Sequence, residues 1–490
     1  MILEGIMLVL NPVCLGLILL GVIVGIIFGS IPGLSATMAV VLFLPITFGM
    51  EPINGITLLI GLYLGGISGG LISAILLKIP GTPSSISTVF DGGPMADKGE
   101  AGRALGVAIL YSFFGGLISI FALIFIAPYL AKVTLKFTPV EYFSVVVFSL
   151  TIIASLSGKS LLKGLLSGLF GIALSMVGMA PLDSLARFTF GNFQLLSGFD
   201  IVVILIGVFA VTDIIQTGFD RCHLADRMKK TSFSLKGFGI TLQDFRQQFV
   251  NMIRSSLIGI GVGILPGIGG STAGLLAYTA AKNASKHPEK FGTGIIDGVI
   301  ASETANNAVI GGSLIPLLTM GIPGNTVTAV FLGGLMIHGI SPGPLIYTKN
   351  GDIMYGIFTA LIIANIFMLA FERAGLRLFV KLLDIPKHIL LPIIMVLCAV
   401  GAFSSSSRIF DVWCVFAFGL VGLLFKKLVI PSTPFIIGFI LGKMAEQNLR
   451  RALMASAGNW SVFVTRPISL VFLLIATISI VMSVRKQYAS

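Results

Sequence analysis

Four long stretches of this chain, 5–50, 104–128, 353–371 and 467–484, contain no charged side chain at all and are mostly apolar. Each reaches or exceeds the roughly 18 residues that a helix needs to cross a bilayer. A water-soluble fold cannot hide that many uncharged runs. Only 11% of the 490 residues are charged and 56% are hydrophobic, against about 25% charged in a typical soluble domain. The runs show no strand alternation of the sort a membrane β-barrel carries. The expected fold class is therefore an all-α polytopic membrane protein, and the 59 glycines and 21 prolines suit membrane helices.

Charge then orients the chain. The formal net charge of +12 suggests nucleic acid at first sight. The lysines and arginines, however, lie mostly in short loops between apolar runs, the distribution that sets membrane topology, so no nucleic-acid partner is expected. Apolar segments imply roughly eleven to twelve transmembrane helices with re-entrant pieces. The longest polar insertion, 219–247, carries Arg221, Arg227, Lys229, Lys230, Lys236 and Arg246 and is read as a cytoplasmic basic loop. It separates a first transmembrane repeat (1–218) from a second (248–443), with a C-terminal helix and tail over 444–490. The start Met-Ile-Leu-Glu has no basic region and reads as a retained first span. Cys14, Cys222, Cys398 and Cys414 lack metal or disulfide spacing. Ser157-Gly158-Lys159-Ser160 ends like a nucleotide-binding loop, but Ile153 stands where that loop needs glycine.

The two halves resemble each other. IPGLSAT (31–37) pairs with LPGIGGST (265–272), and GISGGLISAILLKIPGTPSSISTVFDGGPM (66–95) with VIGGSLIPLLTMGIPGNTVTAVFLGGLM (309–336), in the same order. The loop 48–54 lacks Lys and Arg, whereas its counterpart 282–290 has Lys282, Lys286 and Lys290. Equivalent loops on opposite sides indicate inverted repeats, an architecture of secondary transporters.

The four Pro-Gly segments carry the chemistry: Pro32-Gly33 with Ser35, Pro80-Gly81 with Thr82, Ser84 and Ser85, Pro266-Gly267, and Pro323-Gly324 with Asn325 and Thr326. Proline breaks a helix, and a break at membrane depth is tolerated where the freed backbone is buried in protein or lines a wet cavity. The hydroxyl residues and Asn that follow are N-cap residues, and helix N-termini present partly positive N–H groups. Two such N-termini, after Gly81 and Gly324, are expected to meet near the midplane around an anion. A bulky residue at either glycine is expected to block backbone approach to it. The alternative is a set of packing kinks whose hydroxyls serve their own helices.

Glu303, Asn306 and Asn307 stand at i, i+3 and i+4 on one helix face, a set of hard oxygen donors for a small cation or else a polar packing patch. Lys78, two residues before Pro80, is either a site residue or a lysine snorkelling to the interface. No nucleophile–base arrangement is readable, and no enzyme activity is expected. A membrane-embedded enzyme acting on a lipid-linked substrate, or a passive channel, are the competing classes.

The stretches GSIPGLSATMAVVLFLPITFGMEP (29–52), LLKIPGTPSSISTVFDGGPMADKGEAGRALG (76–106) and 265–344 together resemble the large permease of the tripartite tricarboxylate transporters, TctA. The resemblance implies a multi-pass protein of the bacterial inner membrane that imports carboxylates on an Na+ or H+ gradient without a cofactor. It also implies two partners, a small four-helix membrane subunit and a periplasmic substrate-binding protein. Lys78 is a departure: the resemblance implies Asn there.

Overall fold

The computed structural model describes residues 2–156, 160–219, 241–382 and 387–489. Most of the basic loop and the Ser157-Gly158-Lys159 stretch therefore lie outside the described residues. A short helix α1 (Ile2–Val9) precedes α2 (Pro12–Ser30), α3 (Ala36–Thr47), α4 (Pro52–Leu76), α5 (Ile86–Asp97) and α6 (Ala101–Thr134). Next come α7 (Pro139–Leu156) and α8 (Leu161–Ser175), a two-stranded hairpin of Gly178–Met179 and Ala186–Arg187, and α9 (Ile201–Leu205). That last helix runs through a π-helical segment, Ile206–Val211, into α10 (Thr212–Phe219).

The second half comprises α11 (Leu242–Ile264), α12 (Gly269–Ala284), α13 (Ile296–Met320), α14 (Thr326–Ile337), α15 (Ile346–Lys349) and α16 (Gly351–Leu382). It is followed by α17 (Lys387–Ser406), α18 (Ile409–Lys427), α19 (Ser432–Ala455), α20 (Val462–Thr465) and α21 (Pro467–Ala489). The chain is an all-α polytopic membrane protein.

Among the described residues, 8 helices are long and apolar enough to cross a membrane, fewer than the eleven to twelve expected. The difference has a physical cause. Ala36–Thr47, Pro139–Ile152, Leu161–Ser175 and Thr326–Ile337 are apolar but short. The 25-residue α13 is long enough, yet it carries Asp297, Ser302, Glu303, Thr304, Asn306 and Asn307. Nearly every α13 residue from Gly298 to Thr319 is buried, so protein rather than lipid surrounds it and polar side chains are tolerated.

The same order of elements occurs twice: long helix, break, short helix, long helix, break, short helix, long helix. It is α2–α6 in the first half and α11–α14 with α16 in the second. Local signals set the ends. Asn11 caps α2 by accepting from Cys14 N (2.8 Å) with Pro12 at its first position, and α13 stops at Gly321 in the left-handed region (φ 74°). α2 lies on α4 through glycine: a Cβ on Gly61 would come within 2.5 Å of the Ile18 carbonyl oxygen. In the second half α11 lies on α13 in the same way, Gly263 against Val309 and Ser313.

The halves also interlock. Ile53 meets Gly356 and Ser68 bonds Glu372, so α4 and α16 run side by side in one direction. Thr304 and Gly311 meet Gly115 and Ser119, so α13 and α6 do likewise. Each half's central helix thus leans on the last long helix of the other.

The side of the membrane that each loop faces is open to direct measurement. With the native cysteines replaced, a membrane-impermeant thiol reagent applied from outside the cell is expected to label Leu3→Cys and spare Ser285→Cys. Labelling of Ser285→Cys from that side would remove the charge argument for inversion.

Candidate functional site

The four breaks come together. The Gly267 amide donates to the Gly324 carbonyl (2.8 Å), joining the third break to the fourth. Thr37, just past the first break, lies 3.3 Å from Thr326, just past the fourth. A Cβ on Gly270 would sit 2.9 Å from the Ser84 Cβ and 2.8 Å from Asn306 Oδ1, which brings the third break against the second. Between them is a cavity of about 350 Å³, within the size range of small-molecule sites.

Its walls are the starts of four helices. Ser35, Ala36 and Thr37 come from α3, Thr82, Pro83 and Ser84 from the turn entering α5, Gly267 through Ser271 from α12, and Asn325 through Val327 from α14. Tyr63, Ile67, Asn306, Val309 and Ile310 complete the inner side. These five stand near the midpoints of the 25-residue helices α4 and α13, so the cavity sits near mid-height of the helical body. Phe209, Asp213 and Thr433 close it from α10, the π-helical segment before it, and α19.

The N-termini differ in how they are capped. Ser35 Oγ accepts from Met38 N (3.1 Å) at α3. Asn325 and Thr328 form a reciprocal capping box at α14, and the Asn325 amide also donates to Tyr63 Oη (3.0 Å) and Ser313 Oγ (3.2 Å). Before α5, the Thr82 hydroxyl pairs with Ser84 and Ser85, each at 3.0 Å. No side chain caps α12, so its first N–H groups are left to whatever occupies the cavity. Loss of the α14 cap is expected to show directly: Asn325→Ala should lower stability by about 1 kcal/mol, read as an earlier thermal unfolding transition in detergent.

The Pro-Gly turns serve this arrangement in two ways. Gly33 and Gly267 have φ of 95° and 82°, a left-handed turn that glycine adopts without strain. Gly81 and Gly324 do not. A Cβ on Gly81 would lie 2.5 Å from Ser73 Oγ and 3.0 Å from Gly70 Cα, and one on Gly324 2.5 Å from the Gly263 carbonyl oxygen and 2.6 Å from Ser313 Cβ. These glycines face the neighbouring long helices rather than the cavity. The expectation that a side chain there would obstruct an anion is corrected: it would split the helix packing instead.

Of the residues expected at the site, Ser35, Thr82, Ser84, Gly267, Asn325, Thr326 and Asn306 line the cavity. Pro32, Gly33, Pro80, Gly81, Pro266, Pro323 and Gly324 form the turns behind it, and Ser85 is fully buried behind Thr82. Glu303 and Asn307 turn toward α5 and α6, where Glu303 accepts from Thr88 and from Ser112 (3.1 Å) and Asn307 donates to Ser112 (2.8 Å).

Lys78 does not line the cavity. It sits at φ 55°, half-exposed, with its ammonium 2.6 Å from Asp97, which is the snorkelling reading. Uptake by Lys78→Asn across an Na+ titration is therefore expected to overlay the parent protein, and a shifted curve would return Lys78 to the site.

A family model, the tripartite tricarboxylate transporter TctA family, matches residues 15–437. The chain belongs to the TctA family. It is 38% identical over 460 residues, 94% of this chain and 91% of the other, to an uncharacterised 52.8 kDa protein in the TAR-I ttuC' 3' region of Agrobacterium vitis. It is also 38% identical over 208 residues, 42% of this chain and 86% of the other, to an uncharacterised protein in the TAR-II ttuC' 3' region of the same organism. No solved structure matches it.

This TctA-family chain uses cavity residues that its sequence did not disclose. Tyr63 and Ile67 sit inside an apolar run, and Asp213, Phe209 and Thr433 lie outside both sets of Pro-Gly segments. Among the described residues Asp213 is the only charged side chain on the cavity wall, and Lys426 at the end of α18 neutralises it at 2.7 Å. The one available signal was an acidic residue close to the end of a span, Ile201–Gly218, for which no partner was readable.

Proposed function

We propose that this transporter component is the large membrane subunit of a tripartite uptake system, and that the cavity among the four breaks holds a small carboxylate during its passage. A periplasmic binding protein would deliver the substrate, a small four-helix subunit would complete the membrane part, and an Na+ or H+ gradient would drive import across the bacterial inner membrane.

The observation that carries this reading is the convergence of four helix N-termini on one cavity whose wall has no lysine or arginine among the described residues. Each end offers roughly half a positive charge, stabilising an anion by on the order of 1 kcal/mol. Hydroxyls of Ser84, Ser271 and Thr326 stand beside those ends, where they can donate to carboxylate oxygens. Spread partial charges hold an anion without fixing it to one cation, which suits a site that must also let it go.

The test is uptake of radiolabelled citrate, succinate and tartrate into vesicles containing the three-protein complex, with Na+ and H+ gradients imposed separately. Accumulation of at least one above equilibrium, abolished when the gradient collapses, is expected. Gradient-independent equilibration of all three, or no uptake, would contradict the proposal.

A further inference from the structure

Behind the cavity wall lies a carboxylate without a counter-charge among the described residues. Glu303 is 0% exposed at the middle of α13. Its two oxygens accept from the hydroxyls of Thr88 on α5 and Ser112 on α6, with the Asn306 amide beside them. The other charge that bears on it is of the same sign: Glu372 on α16, also 0% exposed and bonded by Ser68 (2.9 Å).

Of the other polar groups on the helices packed around α13, several bond elsewhere, and the hydroxyls of Ser73 on α4, Ser87 on α5 and Tyr111 on α6 have no hydrogen-bond partner among the described residues. Asp91 on α5 accepts from the amides of Gly292, Gly294 and Ile295. Tyr63 on α4 is bonded to Ser313 and Asn325, and Arg254 on α11 to Asn251. Tyr278 on α12 packs edge-on against Phe291. An ionised carboxylate buried with neutral donors alone costs several kcal/mol. The empty valences beside it point to what offsets that cost. Asn306, 1% exposed, lies next to the Glu303 carboxylate and on the cavity wall, yet among the described residues neither its Oδ1 nor Asn307 Oδ1 has a hydrogen-bond partner.

We propose that Glu303, Asn306 and Asn307, with the Thr88 and Ser112 hydroxyls, bind the monovalent cation, sodium or proton, whose entry neutralises Glu303 and couples the ion gradient to the adjacent carboxylate cavity. Carboxylate, amide carbonyl and hydroxyl oxygens are the donors a hard cation takes. Asn306 belongs to both places, so an ion bound behind it alters the wall that the substrate meets. The assignment rests on the carboxylate-transport reading above.

The test uses the full complex in vesicles with whichever of citrate, succinate or tartrate the parent accumulates. Glu303→Gln removes the charge that the ion offsets. Its accumulation ratio is expected to fall to one, while exchange of labelled for unlabelled substrate at equal concentrations persists at a tenth of the parent rate or more.

If sodium is the ion, the parent responds to an Na+ gradient at constant pH, and Asn306→Ala raises its half-saturating Na+ at least tenfold. If it is the proton, the parent responds to a pH gradient without Na+, and exchange by Glu303→Gln becomes independent of pH. Should Glu303→Gln not reach the membrane, Glu303→Asp and Asn306→Ala decide, each expected to shift the ion dependence. Parent-like accumulation by the folded variants, or loss of exchange together with accumulation in folded Glu303→Gln, would overturn the assignment while leaving carboxylate transport intact. A parent that takes up none of the three substrates overturns the transport reading itself.

Discussion

Gly81→Leu and Gly324→Leu are each expected to remove folded protein from the membrane, while Ser84→Ala and Thr326→Ala leave its amount unchanged and weaken substrate affinity about ten- to a hundredfold. The contrast follows from the two faces of each break. One face is pressed on a long helix, with Gly81 against Gly70 and Ser73 and Gly324 against Gly263 and Ser313. Even a methyl group in such a seam costs about 1–3 kcal/mol, and leucine adds branched bulk where backbone atoms already touch. The other face carries Ser84 and Thr326 into the cavity, where a hydrogen bond to a charged group is worth about 1.5–3 kcal/mol. Membrane-inserted protein measured by fluorescence-detected size exclusion, alongside the KM of uptake, checks both halves. Normal folding of both leucine variants would refute the packing account.

Removing Lys426 should have an effect of similar size through charge alone. Lys426→Ala leaves the Asp213 carboxylate facing an anionic substrate across the cavity. Two like charges about 7 Å apart at an effective dielectric of about 20 repel by about 2.4 kcal/mol, so KM is expected to rise on the order of fiftyfold. Adding Asp213→Asn removes the repulsion, and the double variant is expected to return to within a few-fold of the parent. A double variant as impaired as Lys426→Ala would mean that Lys426 serves the substrate directly. Equal loss of folded protein in both would make the pair a structural strut.

The sequence revealed the fold class because lipid leaves few choices: long uncharged runs become helices, and proline breaks them where protein can cover the gap. It revealed the breaks and their polar followers for the same reason, and Ser35, Thr82, Ser84, Asn325 and Thr326 do line the cavity. Position alone does not show where a side chain ends up. Lys78 precedes a break by two residues, but the chain turns there at positive φ and sends the ammonium to Asp97. Glu303, Asn306 and Asn307 share one stripe in sequence, yet α13 is covered all round, so one of them reaches the cavity and two face α5 and α6. Tyr63 and Asp213 were invisible because their roles depend on partners 250 and 213 residues away, Ser313 and Lys426. Glycine at positions 81 and 324 looked like an opening for substrate and is a close helix contact. Only packing distinguishes the two.

The central claim, that the carboxylate sits among the four breaks, can be tested by substrate protection. Thr326→Cys, in a background with Cys14, Cys222, Cys398 and Cys414 replaced, places one thiol on the cavity wall. A negatively charged methanethiosulfonate reagent is expected to modify it and stop uptake, and the transported carboxylate present during the reaction is expected to slow modification at least tenfold, whereas an uncharged ester of the same acid does not. Modification at the same rate with and without substrate, in protein that still transports, would place the substrate elsewhere.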